Sequence, residues 1–319
     1  MMAKNLSWKA QCITLKNHGK PYGYIAMAKE NTCPSLGGLR ILERKYNPAS
    51  LSLCLQLAKT MQLKAEYANL PLSGGKAVIH IPSSKERKYF LRKLADDINC
   101  LQGQYITSVD IGSSQDDMDF LHQYTKHLTS YTSVGGDPSF YTAQTVLLSI
   151  KAACDFYFQD ASLDSKHIVI QGIGKVGSQL LTLLRKQSSQ LKITITDTDM
   201  SKLSFYASEY VADTCHPSEV YSVKSDVFIS AANSHIIGAS EIKQLRCHIF
   251  AAAANNPFKG GCIEGLMKER GIVLLPDYLI NSGGLIYCAY QYYKTFDLEK
   301  KIRDTYQSVS RYLDFSCCI

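Results

Sequence analysis

The sequence predicts a two-domain α/β protein, and three observations carry that expectation. Its 319 residues exceed one ordinary domain, and its 45% hydrophobic and 20% charged content is that of a globular chain with a substantial core. The first ~140 residues mix short alternating runs with helical ones. The remainder repeats short β-rich runs between helical segments, at the spacing of parallel βαβ units.

In chain order, QCITLKN and YGYIAMA alternate enough to form strands. From Pro48 to about Ala68, Leu51, Leu55, Ala58 and Met61 recur every three or four residues and mark a helix. PLSGGKAVIHIP follows as a glycine turn entering a strand that Pro82 stops, LRKLADDINCL is a helix, and QYITSVDIGS is a strand ending in a polar loop. A helix from about Tyr141 to Tyr157 joins the halves. HIVIQG, LKITITD, DVFISAA, CHIFAAAANN and GIVLLPDYLI then supply the strands of the second half, and DLEKKIRDTYQSVSRYL closes the chain as a helix. The expected division is 1–140, 141–283 and a C-terminal helical segment, 284–319.

Composition narrows the function. The net charge of +7 is spread along the chain rather than gathered in blocks, which argues against nucleic-acid binding and fits anionic ligands such as carboxylates or nucleotides. Eleven cysteines, an odd number without CxxC spacing, suit reduced, buried thiols rather than disulfides or a metal site. MMAKNLSWKAQC has no apolar signal core, no run of ~18 apolar residues occurs, and Ser316 stands where a prenylation box needs cysteine. A soluble, cytoplasmic protein without a membrane partner is expected. Trp8 and the many tyrosines read as packing or oligomer contacts, and His80 and His235 as structural residues.

HIVIQGIGKVGSQLL is the clearest local motif. A β-branched run leads into Gly172-x-Gly174-x-x-Gly177 and then a helix. In a Rossmann-type dinucleotide site the first glycine permits the tight turn, the second lets backbone approach a pyrophosphate, and the third lets helix and strand pack closely. The helix N-terminus presents free N–H groups to the phosphates. LKITITD ends at Asp197, twenty residues after Gly177. An acid there accepts from ribose hydroxyls and repels a 2′-phosphate, which favours NAD over NADP. Asp199 is the second candidate for that contact, and a glycine turn without a ligand is the plain alternative.

LKAEYANLPLSGGKAVI places Lys64 and Lys76 on either side of the glycines. One such lysine can hold a carboxylate; the other, crowded by charge and desolvated, is suited to acid–base work. QYITSVDIGS adds Asp110 at a strand end as a proton carrier. Each lysine alone reads as an ordinary surface charge.

Together SLGGLR, MQLKAEYANLPLSGGKAVI, YITSVDIGSSQDDMD, GIGKVG, AAANNPF and LLPDYLINSGGLI, in this order, resemble the glutamate/leucine/phenylalanine/valine dehydrogenase family, its leucine-specific members most closely. The resemblance covers about residues 34 to 290. It implies a substrate domain followed by a Rossmann domain, catalysis in the cleft between them, and a C-terminal segment returning toward the first. It further implies that Lys64 holds the substrate carboxylate, Lys76 activates water at an iminium carbon and Asp110 shuttles protons. Asn255 or Asn256 would approach the substrate amino group or the cofactor, and Thr142 and Asn281 the nicotinamide amide; plain turn or capping roles are the alternative for these polar residues. Gly37 and Gly38 fit a close approach of backbone to substrate, with a simple turn after Pro34 as the alternative. Leu36, Gly37, Ser108, Leu285 and Cys288 would line a side-chain pocket without a charge for a second carboxylate.

The implied activity is reversible, NAD-dependent oxidative deamination of a small apolar, branched-chain L-amino acid by a homo-oligomer. A retired NAD-binding paralogue or oligomer scaffold of the same fold is the alternative. Departures from the family pattern are Ser73 before Gly74-Gly75, Ser113-Ser114, Phe140 and Thr145, and an end at Asp314-Phe-Ser-Cys-Cys-Ile where family members continue. A trimmed stable variant and a shortened product both fit that end.

Overall fold

The computed structural model of the chain describes residues 9–28, 33–260 and 263–317. Trp8 and Cys318 lie outside the described residues. The chain forms two compact units, Met1–Pro138 with Leu285–Phe296, and Ser139–Gly284 with Asp297–Ile319. The C-terminal segment expected at 284–319 is thus shared out: its first part groups with the first unit and its last helix with the second.

The first unit contains β1 (Ala10–Asn17), β2 (Lys20–Ala28), β3 (Ser35–Leu42), α1 (Ser50–Tyr67), β4 (Ser73–His80), α2 (Arg87–Cys100), β5 (Tyr105–Val109) and α3 (Gln115–His122). Its mixed sheet runs β1-β2-β4-β3-β5, with β3 parallel to both β4 and β5. Alternation along the strands sends Leu39, Ile41, Ala77, Ile79 and Tyr105 into one core with Phe90, Leu91, Leu94 and Ile98 of α2. The opposite face carries Tyr24, Ala26 and Val78, packed on Cys54 and Ala58 of α1.

One reading changes here: Ser73-Gly74-Gly75 is the start of β4 and not a turn. The reason is crowding: a Cβ on Gly74 would meet the Ala58 carbonyl oxygen of α1 at 2.5 Å, so Gly74 lets the helix lie on the strand. Gly37-Gly38 lies inside β3, which removes the plain-turn alternative for that pair. Thiol burial also divides. Cys54, Cys154, Cys247 and Cys288 are buried as expected, whereas Cys12, Cys33 and Cys100 are exposed.

The second unit begins with α4 (Ser139–Phe158), then β6 (His167–Gln171), α5 (Lys175–Gln187), β7 (Lys192–Thr196), α6 (Met200–Glu209), β8 (Asp213–Thr214), β9 (Val227–Ser230), α7 (Ala239–Gln244) and β10 (Ile249–Ala252). It continues through α8 (Ile263–Glu269), β11 (Val273–Leu275) and α9 (Asp277–Ile280). Helix α10 (Gly283–Tyr293) starts here and runs into the first unit, and α11 (Leu298–Cys317) packs on α4 within the second. The sheet, β11-β10-β9-β6-β7-β8, is wholly parallel, and the strand order reverses beside β6, the Rossmann-type switch point. GIVLLPDYLI is not one strand, because Pro276 ends β11 and begins α9. Among the described residues no helix is long and apolar enough to cross a membrane.

Candidate functional site

In the first unit the α1-facing side of the sheet gathers the charged candidates. Residues of like parity share that face, so Leu36 and Arg40 on β3, Lys76 and Val78 on β4, and Ile106 and Ser108 on β5 stand side by side. Asp110 follows directly after β5. Lys76 Nζ lies 2.8 Å from Asp110 Oδ2, and Lys76 is only 4% exposed. Arg40, which the motif SLGGLR contains but sequence reasoning passed over, donates from Nε to the same Oδ2 at 3.0 Å. Burial pushes the Asp110 carboxyl up, but the Lys76 and Arg40 charges and hydrogen bonds outweigh it and hold the carboxyl below the usual carboxylate range.

Close backbone packing makes this cluster possible. A Cβ on Gly38 would come within 2.7 Å of the Asp110 Cβ, and one on Gly37 would overlap the Gly75 carbonyl. Ser113 Oγ accepts from the Asp110 N–H at 2.8 Å and donates to the Leu39 carbonyl at 2.8 Å, tying the loop to β3. Lys64 is buried in the last turn of α1, the helix that covers this face.

Leu36, Leu285 and Cys288 meet in one apolar cluster with Ala65, Leu72, Ile106 and Ala289. Sequence reasoning missed that this cluster has a polar end. The hydroxyls of Ser130, Thr129 and Ser108 face the Cys288 thiol, with Ser130 Oγ 3.4 Å from Sγ. Burial nevertheless pushes that thiol up. Thr129 reaches the spot because its N–H pairs with the Thr107 carbonyl beside β5.

The second unit holds the glycine turn at the end of β6. Gly172 has φ +95°, a left-handed conformation that favours glycine, and its N–H donates to the Thr196 carbonyl at 2.8 Å. A Cβ on Gly177 would overlap the Gly172 carbonyl, whereas one on Gly174 would meet nothing within 4 Å. Open space thus lies above the N-terminus of α5, whose first N–H groups have no intrahelical acceptor. Asp197, at the end of β7, accepts from Ile173 N–H at 2.7 Å on Oδ2 and from Asp199 N–H at 3.0 Å on Oδ1. Although burial pushes its carboxyl up, these N–H groups and Lys202 hold it below the usual range. Asp199 is occupied differently, since its Oδ1 caps α6 through Lys202 N–H.

The polar residues near the other end of this sheet form a second group. Asn281 Nδ2 donates to the Ala253 carbonyl and to Asn255 Oδ1, each at 3.0 Å. Asn281 Oδ1 is buried without a partner among the described residues, an acceptor suited to an amide N–H. Asn256 has φ +47° and is anchored by its N–H to Asp277 Oδ2. Thr142 lies in the first turn of α4, where its carbonyl accepts from Thr145 Oγ1. The departure at Thr145 has a structural account, because its hydroxyl also accepts from Gly283 N–H at 3.1 Å and ties α4 to the start of α10. Open glycine backbone, an anionic acid and an orphan amide acceptor together fit a nicotinamide dinucleotide.

The two histidines singled out in the sequence each have a protein partner. His80 Nε2 is 2.9 Å from Ser50 Oγ in the core, and His235 Nδ1 is 2.9 Å from the Phe258 carbonyl oxygen. No group of metal-ligating side chains is present among the described residues.

Comparison with known proteins bears on this arrangement. Residues 11–127 match the family model described as Glu/Leu/Phe/Val dehydrogenase, dimerisation domain. Residues 190–300 match that described as Glutamate/Leucine/Phenylalanine/Valine dehydrogenase. The chain is 32% identical to a leucine dehydrogenase of Thermoactinomyces intermedius over 89% of its own length and 78% of the relative's. It is 33% identical to an L-tryptophan dehydrogenase of Nostoc punctiforme, over 82% and 74%. The crystal structure of L-tryptophan dehydrogenase from Nostoc punctiforme superposes with a TM-score of 0.80, at 29% identity, covering 94% of this chain and 87% of that one.

Proposed function

The chain belongs to the Glu/Leu/Phe/Val dehydrogenase family, and from that premise we propose that it deaminates a small apolar L-amino acid oxidatively and reversibly, with NAD, giving the 2-oxo acid and ammonium. The observation that carries this reading is the buried Lys76–Asp110 pair at 2.8 Å, a place where a proton can move between two bases sheltered from water. A chain kept only as a scaffold has no physical need for that pair.

Lys64, buried in the last turn of α1, holds the substrate carboxylate as a cation paired with an anion. Gly37 and Gly38 let backbone reach the substrate, and Leu36, Leu285, Cys288 and Ser108 take its side chain. Lys76 removes a proton from the water that attacks the iminium carbon, and Asp110 relays protons to and from the nitrogen as ammonia leaves. Asn256 assists at the amino group. Gly172, Gly174 and Gly177 with the α5 N-terminus hold the pyrophosphate, Asp197 the ribose, and Thr142, Asn255 and Asn281 the carboxamide. The bound nicotinamide supplies the hydride acceptor. Asp197 is anionic at the ribose, which supports NAD over NADP. We further propose a cytoplasmic homo-oligomer assembled through the first unit, in line with the matched dimerisation domain.

The residues assigned to the substrate side chain belong to an aliphatic cluster, which favours a branched-chain substrate. An aromatic substrate is the second reading, favoured by the similarity to an L-tryptophan dehydrogenase and by the hydroxyls beside Cys288. The test is NADH formation by the full chain at mildly alkaline pH with leucine, valine, isoleucine, phenylalanine, tryptophan and glutamate, each with NAD and with NADP. Turnover with a branched-chain or aromatic substrate and NAD is expected, and none with glutamate. Silence with every substrate from folded protein that still binds NADH contradicts the enzyme and favours the retired paralogue.

A further inference from the structure

Arg40 stands outside every role assigned above, yet it is bound to the centre of the site. Its Nε and the Lys76 Nζ approach one and the same carboxylate oxygen, Asp110 Oδ2, at 3.0 and 2.8 Å. All three side chains are largely buried, with exposures of 13%, 5% and 14% for Arg40, Lys76 and Asp110. β3 and β5 run parallel with Leu39 opposite Val109, so Arg40 and Asp110 come next along their strands. Gly38 leaves the space that lets the Asp110 side chain lie against β3.

We propose that Arg40 is a positioning residue of the reaction: it fixes the Asp110 carboxylate through the oxygen that Lys76 also uses, and its permanent charge eases proton release from the pair. The inference rests on the deaminating function proposed above.

Guanidinium does not give up a proton in a protein, so Arg40 cannot compete for the proton that Lys76 and Asp110 handle. A fixed cation beside two titrating groups also makes every proton there easier to lose, whichever group sets the observed ionisation. The groups facing Asp110 are Lys76 from β4, Arg40 from β3 and the Ser113 hydroxyl of its own loop, and the buried Tyr105 phenol of β5 feels the Asp110 charge. Arg40 is therefore the one permanent cation among these named neighbours. Its removal acts in a single direction: the deamination rate, which rises as the pair loses its proton, needs a higher pH.

The experiment is the pH dependence of kcat/KM for oxidative deamination, with the best amino acid found for the unsubstituted chain, in R40Q, R40M and R40K. Circular dichroism and NADH binding are measured alongside. The expected result for the neutral variants is a rising limb displaced upward by about one pH unit and kcat/KM reduced roughly tenfold or more at neutral pH. R40K, which keeps the charge, is expected to hold the limb near its original place. Equal losses at every pH with unmoved limbs, or failure of both neutral variants to fold, make Arg40 a structural residue and overturn the proposal. Absence of turnover in the unsubstituted chain sinks the proposed function, and this inference with it. An unmoved limb in an active enzyme sinks this inference alone.

Discussion

Two carboxylates of the first unit, Asp110 and Asp117, are both largely buried and both bound by an arginine, yet their partners differ. Asp117 is saturated. Its Oδ1 accepts from Arg87 Nε at 2.8 Å, and its Oδ2 from Arg87 Nη2, Ser114 N–H and Ser114 Oγ at 2.6, 2.7 and 3.0 Å. It closes the capping box that starts α3, and Arg87 carries the link onward to Glu43 and the Gly112 carbonyl. Asp110 instead shares one oxygen between Arg40 and Lys76. The partner decides the role. Arginine keeps its proton under all working conditions, so the Asp117 cluster can only hold structure. Lysine can release one, so the Asp110 cluster can also do chemistry.

Substitutions can break this comparison. The largest effect is expected for Lys76→Ala, which should lower kcat by about 10³-fold or more while leaving NADH binding nearly unchanged, as equilibrium fluorescence would show. Loss of NADH binding along with activity would place Lys76 among the structural residues. Asp117→Asn should do the opposite, costing about 3 kcal/mol of stability in urea unfolding with kcat changed little. Burial pushes the Asp117 carboxyl up, but Arg87 and Ser114 hold it below the usual carboxylate range. A depressed folded-state value means the contribution is full above the unfolded value of about 4 and is lost as pH falls through the folded one. The stability difference between the two proteins should therefore shrink on acidification below about pH 4, and a difference independent of pH would refute the ion-pair account. The smallest effect is expected in the second unit, where Asp197→Ala should weaken NAD binding about tenfold, and unchanged affinity would remove Asp197 as the ribose contact.

The two units also differ in how much of them the sequence displays. The turn of the second unit is built from one continuous window: Gly172 needs its positive φ, Gly177 its close contact, and both follow from spacing alone. The first unit's site is assembled from three strands whose register no local window contains. Lys76 and Asp110 were legible as candidates because lysine beside glycine and acid at a strand end are distinctive. Arg40 was not, since no strand was expected around Gly37-Gly38 and its partner lies seventy residues on. The alternation of Leu36, Gly38 and Arg40 was the signal available, and it gains meaning only when β5 is known to lie alongside. Gly74-Gly75 misled in the other direction, because paired glycines suggest a turn when the cause is crowding, by α1 at Gly74 and by Ser35 and Tyr105 at Gly75. Thr129 and Ser130 gave no signal at all; their place beside Cys288 depends on the pairing next to β5 and on the return of α10.

The central claim is that a hydride passes, on this chain, from the α-carbon of an amino acid to the nicotinamide. Mass spectrometry of the NADH formed from α-deuterated leucine, phenylalanine and tryptophan tests it most directly. The account predicts reduced cofactor one mass unit heavier, formed by the unsubstituted chain and suppressed in the Lys76→Ala variant. Unlabelled NADH, or label transfer at the same rate without Lys76, would contradict it.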